Sequence, residues 1–187
     1  MPTPDPASAA LPFQLTPFPG EPAPEGLEIV GTAGRDGDRL TLRYALSGPL
    51  QQLRIPQPGT SPGRLDELWQ TTCLECFLAQ PRDPGYWELN VSPTGDWNLY
   101  RLDAYREGLR PEPACPEAPR LQRRDHSGAV EFEVCLVLPP PLAVAPALEL
   151  AVTAVVATRD AAISYWALHH PCPQADFHHR GGFALRL

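Results

Sequence analysis

Glu75 and Glu88 stand in apolar runs, CLECFL and YWELNV, and Asn90 and Ser92 follow Glu88 at two-residue spacing. An ionised carboxylate is costly among bulky neighbours unless something pairs with it. On an extended chain Glu88, Asn90 and Ser92 share one face, with Trp87, Leu89 and Val91 on the other. If the flanking strands pair, Glu75 joins that polar row and Trp97 stands at its margin. Carboxylate, amide and hydroxyl beside an aromatic plane is the chemistry of a site for a sugar or another small polar ligand. The plain alternative is a strand face that is simply solvated.

Two carboxyls also raise the question of glycoside hydrolysis, in which a separation of about 5 to 5.5 Å retains and about 6.5 to 9.5 Å inverts configuration. Such an enzyme needs a deep cleft and one carboxyl held protonated, and short loops supply neither readily. No P-loop, H-E-x-x-H or dinucleotide fingerprint is present, and the G-x-S-x-G match in Gly59-Thr-Ser-Pro-Gly63 falls in PQPGTSPG, a loop of turn residues rather than a strand-to-helix elbow. The expectation is a binding protein, with a glycosidase using Glu75 and Glu88 as the minor reading.

His169, His170, His178 and His179 fall in one irregular run, HHPCPQADFHHR. Imidazole could hold haem iron or zinc. The one Met is the initiator, so a haem would have to be held through His. The plain reading is that these are loop side chains bonded to carbonyls near Pro171, with Asp176 pairing Arg180. Cys73 and Cys76 form a C-x-x-C, but on a strand they point to opposite faces, which disfavours a metal or redox pair. Asp66 and Glu67 read as a cap for a short helical turn rather than as cation ligands.

The elements that position these residues read as strands. Trp69 to Leu78 is apolar on both faces, which suits a central strand. Tyr86 to Ser92 and Trp97 to Leu102 follow across PRDPG and SPTGD, whose Pro and Gly supply turn chemistry, giving a meander of three antiparallel strands. Before it come an edge strand within Leu11 to Pro24, a hairpin of Leu27 to Ala33 with Arg39 to Leu46, and a short strand from Gln51 to Ile55. After it come Arg120 to Arg124, Val130 to Leu138, Leu148 to Thr158, Ile163 to Leu168 and Phe183 to Leu187. Short strands punctuated by Gly and Pro, without helical crossovers, predict an all-β fold, an antiparallel β-sandwich. Residues 1 to 10 read as a flexible tail and 11 to 187 as one domain.

The runs LWQTTCLECFL, YWELNVSPTGDWNLYRLDAYREGLR and ISYWALHHPCPQADFHHR, with a closing FALRL, together resemble the bacterial DOMON-like domain proteins. These are akin to the family 9 carbohydrate-binding modules. The resemblance covers roughly residues 11 to 187 and implies a jelly-roll-like sandwich that binds sugar or haem, usually without catalysis. It makes Tyr165-Trp166-Ala167-Leu168 and Asp176-Phe177-His178 signature positions. In the resulting expectation Trp97 or Trp69 stacks on a sugar face, and Glu75, Glu88 and Asn90 bond its hydroxyls. Arg106 or Arg180 adds a charged contact, and Tyr100, Trp166 and His178 complete the site. No cofactor is expected; haem b in an electron-transfer or sensor domain is the alternative, a structural calcium is possible, and a protein-interaction module is a third reading.

The chain has 187 residues, 25 of them Pro, and all 15 of its basic side chains are Arg. A net charge of -7 with dispersed Arg argues against nucleic acid and anionic membrane surfaces. The N-terminus lacks a basic and an apolar signal region, and five Cys fit reduced thiols, so the expected compartment is cytoplasmic.

Overall fold

The computed structural model describes residues 10 to 187, so all but the last residue of the expected tail lies outside the described residues. Twelve strands follow one another: β1 Leu11–Pro17, β2 Glu28–Asp36, β3 Arg39–Ser47, β4 Cys73–Ala79, β5 Tyr86–Val91, β6 Trp97–Leu102, β7 Arg110–Pro111, β8 Arg120–His126, β9 Ala129–Val137, β10 Glu149–Ala157, β11 Ile163–Ala167 and β12 Leu185–Arg186. The one α-helical piece among the described residues is α1, Pro140–Ala143. No helix there is long and apolar enough to cross a membrane.

All pairings between the named strands are antiparallel, and they form one sheet that curls into two layers in the order β7-β6-β5-β4-β10-β11-β1-β2-β3-β9-β8, with β12 also on β10. The fold is an all-β sandwich, as the strand pattern predicts. Its seam is β1. Leu11 to Leu15 pair with β2 in one layer, and Thr16 and Pro17 pair with β11 in the other.

Period-2 alternation sends Leu74, Cys76 and Leu78 of β4, Trp87 and Leu89 of β5, and Val152 and Val156 of β10 between the layers, where they meet Leu42 and Leu46 of β3 and Phe132 and Val134 of β9. Tyr44 is buried in the same core, and its hydroxyl donates to the Glu75 carbonyl at 2.8 Å, tying the layers together. Every residue of β4 is buried, so the strand is central and covered on both faces.

Three expected strands are shorter or absent. Trp69 is not in β4: Glu67 turns the chain at φ 59, Leu68–Gln70 forms a 3-10 turn, and pairing starts at Cys73. Gln51 to Ile55 is not a strand either. Leu50–Gln52 is a 3-10 turn, and Leu53 alone bridges to Thr158, because the Leu50, Gln52 and Leu53 amides turn back to the carbonyls of Gly48, Pro49 and Leu50. The last strand shrinks to Leu185–Arg186, since Arg180–Gly182 is a 3-10 turn. The expected cap also fails: Glu67 makes no side-chain cap bond, and Asp66 instead accepts from Asn98 and Tyr100.

Gly31 in β2 lies opposite Tyr44, and a Cβ there would fall 1.8 Å from the Arg43 carbonyl oxygen and 2.5 Å from the Phe13 ring. Only a residue without a Cβ lets backbone and ring approach so closely. Gly31→Ala is therefore expected to cost about 1 to 3 kcal/mol, as overpacking does. The urea midpoint measures it; an unchanged midpoint would show that β2 is free to shift.

Candidate functional site

Strand register builds the floor of the site. Glu75 lies opposite Asn90 on one side and Thr153 on the other, while Phe77 lies opposite Glu88 and Glu88 opposite Tyr100. Glu75, Asn90 and Glu88 thus share the face of the β4 to β6 layer that looks away from the inter-layer core. A second apolar cluster covers part of that face: Phe77, Ala79, Tyr86, Tyr100, Leu102 and Ala151, with Trp69, Phe177 and Phe183 packed on it.

Between these side chains is a cavity of about 610 Å³. Glu75, Phe77 and Glu88 form its floor, with walls from Trp69, Tyr165 and Phe177 and a rim that includes Arg106 and His178. Each wall arrives from a different part of the chain. Trp69 comes from the 3-10 turn before β4, Arg106 from the loop after β6, where it sits at φ 57, and His178 from the irregular segment after β11.

Glu75 is 2% exposed and Glu88 is 5% exposed. The Thr153 hydroxyl donates to Glu75 Oε2 at 3.4 Å, a long bond, and Glu75 Oε1 has no partner among the described residues. Burial, then the neighbouring Glu88 charge, pushes the Glu75 carboxyl well above the ordinary range. Burial also pushes Glu88 up, against the Asn90 amide, which donates to its Oε1 at 2.8 Å, and the Arg106 charge.

His178 is oriented by Tyr86. The Arg106 backbone amide donates to the Tyr86 hydroxyl at 3.1 Å, and that hydroxyl lies 2.9 Å from His178 Nδ1. With one lone pair taken, the hydroxyl is placed to donate to Nδ1, which puts the hydrogen of a neutral imidazole on Nε2. Nε2 faces Glu88 Oε2 at 4.0 Å. Burial and the Arg106 charge lower the His178 pKa to about 4, so the ring is neutral at neutral pH. Asp176 accepts from the Arg106 guanidinium at 2.8 Å, from the His178 amide and from the Tyr105 hydroxyl. Burial works against its charge, but Tyr105 and Arg106 outweigh it and hold the carboxyl below its usual value.

Six of the candidate residues therefore meet at one place: Trp69, Glu75, Glu88, Arg106 and His178 line the cavity, and Asn90 fixes Glu88 from beside it. Tyr100 shares the face but supports Trp69 edge to face at 6.0 Å and donates to Asp66. Trp97 and Trp166 lie elsewhere. Trp97 pairs with Val91 and so turns into the inter-layer core under the Arg64 guanidinium, while Trp166 is 3% exposed and donates to Ser164. Arg180 is not on the cavity and does not pair with Asp176. It bonds Glu149 at 2.6 Å and lies over the Phe183 ring, leaving Asp176 to Arg106.

Of the clustered histidines His178 alone lines the cavity; His170 bonds the Thr16 carbonyl oxygen, and His179 accepts the Gly181 amide. Among the described residues no group of three or more His, Cys, Asp or Glu could hold a metal ion. For a haem, Nε2 of His178 faces a buried carboxyl where a porphyrin needs an apolar face.

The sequence reading missed Phe77, Tyr165 and Phe177. Phe77 carried a signal, since it alternates in step with Glu75. Tyr165 was named only through its signature segment, beside the Trp166 that was chosen. Phe177 lies in a run with no period, and only its place in the signature segment Asp176-Phe177-His178 marks it.

Neither a protein-family model nor a curated protein sequence matches the chain. Solved structures do match in fold. A proposed carbohydrate-binding protein from Bacteroides uniformis superposes with a TM-score of 0.63 at 12% identity, covering 94% of this chain and 84% of that one. A family 9 carbohydrate-binding module from Caldicellulosiruptor kristjanssonii, in complex with cellotriose, gives a TM-score of 0.51 at 12% identity, covering 89% of this chain and 75% of that one.

Proposed function

We propose that this chain is a non-catalytic module that binds a carbohydrate in the cavity above Glu75 and Glu88. The observation that carries the reading is the joining, in one cavity, of aromatic walls with a buried hydrogen-bonding floor. Apolar sugar faces pack on rings such as Trp69 and Phe177, and the carboxyls and the His178 Nε2–H fix the hydroxyls. The solved structures of the same fold include one bound to cellotriose, which supports the choice of ligand class.

The binding reading, rather than a hydrolytic one, is supported by the solved structures of the same fold, which are named as a carbohydrate-binding protein and a carbohydrate-binding module. The kinship with DOMON-like proteins and family 9 modules belongs to the same reading.

Calorimetric titration with cellotriose tests it. Trp69→Ala and Glu88→Ala are each expected to weaken binding about tenfold to a hundredfold, the worth of a stacked ring or a charge-assisted hydrogen bond. Trp97→Phe, altered on the opposite strand face, is expected to bind as the parent does. Undiminished binding by both site variants would reject the cavity as the site.

A further inference from the structure

We infer that the cavity is built for a ligand carrying a protonated amine, an amino sugar rather than a neutral one, with the ammonium seated between Glu75 and Glu88. The inference rests on the cavity being the ligand site and names the class of sugar it takes.

The hydrogen-bonding account of the floor points there. The Thr153 hydroxyl is committed to Glu75 Oε2 and the Asn90 amide hydrogen to Glu88 Oε1. The Arg106 guanidinium is committed to Asp176 at the rim, where it is 52% exposed. What remains on Glu75 and Glu88 is acceptors. Glu75 Oε1 is buried on the cavity floor without a partner, Asn90 Oδ1 beside it in register is likewise without one, and Glu88 Oε2 has His178 Nε2 no nearer than 4.0 Å. An ammonium offers three donors and no acceptor, whereas each sugar hydroxyl brings one donor and two lone pairs, for which the rim His178 Nε2–H is the main neutral donor.

Charge points the same way. From its own strand Glu75 faces Cys73, and from β5 it faces Glu88; neither supplies a positive charge. Tyr86 and His178 approach Glu88 from the other side, and His178 is neutral. Arg106 is the one cation on the cavity lining, and Asp176 answers it; Glu21 adds a further carboxyl at the lining. Glu75 thus faces no cation of the protein and Glu88 feels only Arg106, and the rings of Trp69, Phe77, Tyr165 and Phe177 are faces that attract a cation. Charge-assisted bonds to both carboxylates are roughly twice as strong as neutral ones.

A proton balance follows. Burial and mutual repulsion raise the proton affinity of the carboxyl pair in the free protein, and an ammonium between them favours both ionised forms. Binding then releases a proton to the buffer, and affinity rises with pH until the amine itself loses its charge. A neutral sugar releases none.

The test is calorimetric titration of the intact chain at about pH 6, where amine and ammonium chemistry favours the cation. The probes are cellotriose, the β-1,4-linked glucosamine trimer and its N-acetylated counterpart, each in two buffers of different ionisation enthalpy. The expected result is binding of the glucosamine trimer about tenfold or more tighter than either neutral probe, with proton release for it alone. Glu75→Gln should abolish both the preference and the proton release; Glu88→Gln serves if that variant fails to fold. Cellotriose or the acetylated trimer binding as tightly as the amine would overturn the inference and leave the sugar site standing. Binding of none of the three would overturn both.

Discussion

Truncating Trp87 to alanine is expected to remove about 3 to 5 kcal/mol of stability, the cost of a large buried aromatic. The side chain is 1% exposed in the inter-layer core, opposite Leu78 on β4 and Arg101 on β6, with the Arg101 guanidinium over its ring at 5.0 Å. Its indole nitrogen donates to Glu112 Oε2 at 2.7 Å. Glu112 is itself buried, and without the indole it retains only the Ala114 amide, on its other oxygen. Part of the loss is therefore a half-satisfied carboxylate. Trp87→Phe should restore most of the packing and leave about 1 to 3 kcal/mol, the cost of that unpaired oxygen. Urea unfolding of the two variants separates the terms. An alanine variant within about 1 kcal/mol of the parent would contradict the packing described. Because side chains alternate along β5, Trp87 points away from Glu88, so Trp87→Phe should leave ligand affinity intact.

Glu75→Gln is expected to stabilise the protein by on the order of 1 to 4 kcal/mol near pH 8 and to change little near pH 4. The carboxyl is buried, and in the folded state its pKa lies above the unfolded value of about 4.3. Its contribution to stability is thus whole below that unfolded value and is lost as pH rises through the folded one. Glu88 acts in the same direction. His178 acts in the opposite one: lowered to about 4 from an ordinary value of about 6.5, it contributes fully above the latter and is lost as pH falls towards the former. The two trends oppose one another between those limits, and above them the carboxyls act alone. Urea midpoints at three pH values test this. A constant difference between parent and Glu75→Gln at all three would show that Glu75 ionises freely in the fold. His178→Gln, freed of the opposing trend, should gain on the parent as the solution is acidified.

The part of the site that lies on strands was legible in the sequence. Alternation in CLECFL and YWELNV, with turn residues between, put Glu75, Glu88 and Asn90 on one face, and register placed them together. Trp97 shows where that reasoning stops. A single residue of register decides which face a strand residue takes, and the pairing of Trp97 with Val91 sends it to the core instead of the polar margin. Trp69 lines the cavity as expected but not from the strand, because the chain makes a left-handed turn at Glu67, which has no reliable signal in a residue other than glycine. The segment from His169 to Arg180 carries no period at all. Its tertiary contacts alone decide that Asp176 meets Arg106, that Arg180 meets Glu149 and that His178 reaches the cavity.

The double membership of β1 has a consequence for how the chain is made. Thr16 pairs with Ala167 across a separation of 151 residues, whereas β1 and β2 are neighbours in the chain. A nascent polypeptide can close the first layer's hairpins as they leave the ribosome, but Thr16 and Pro17 of β1 must wait for their partners until nearly all of the chain has emerged. Tyr165, Phe177 and His178 arrive in that same final stretch. Closure of the seam and completion of the cavity are thus one late event, and a ribosome stalled before β11 would hold a chain with exposed strand edges and an unfinished cavity.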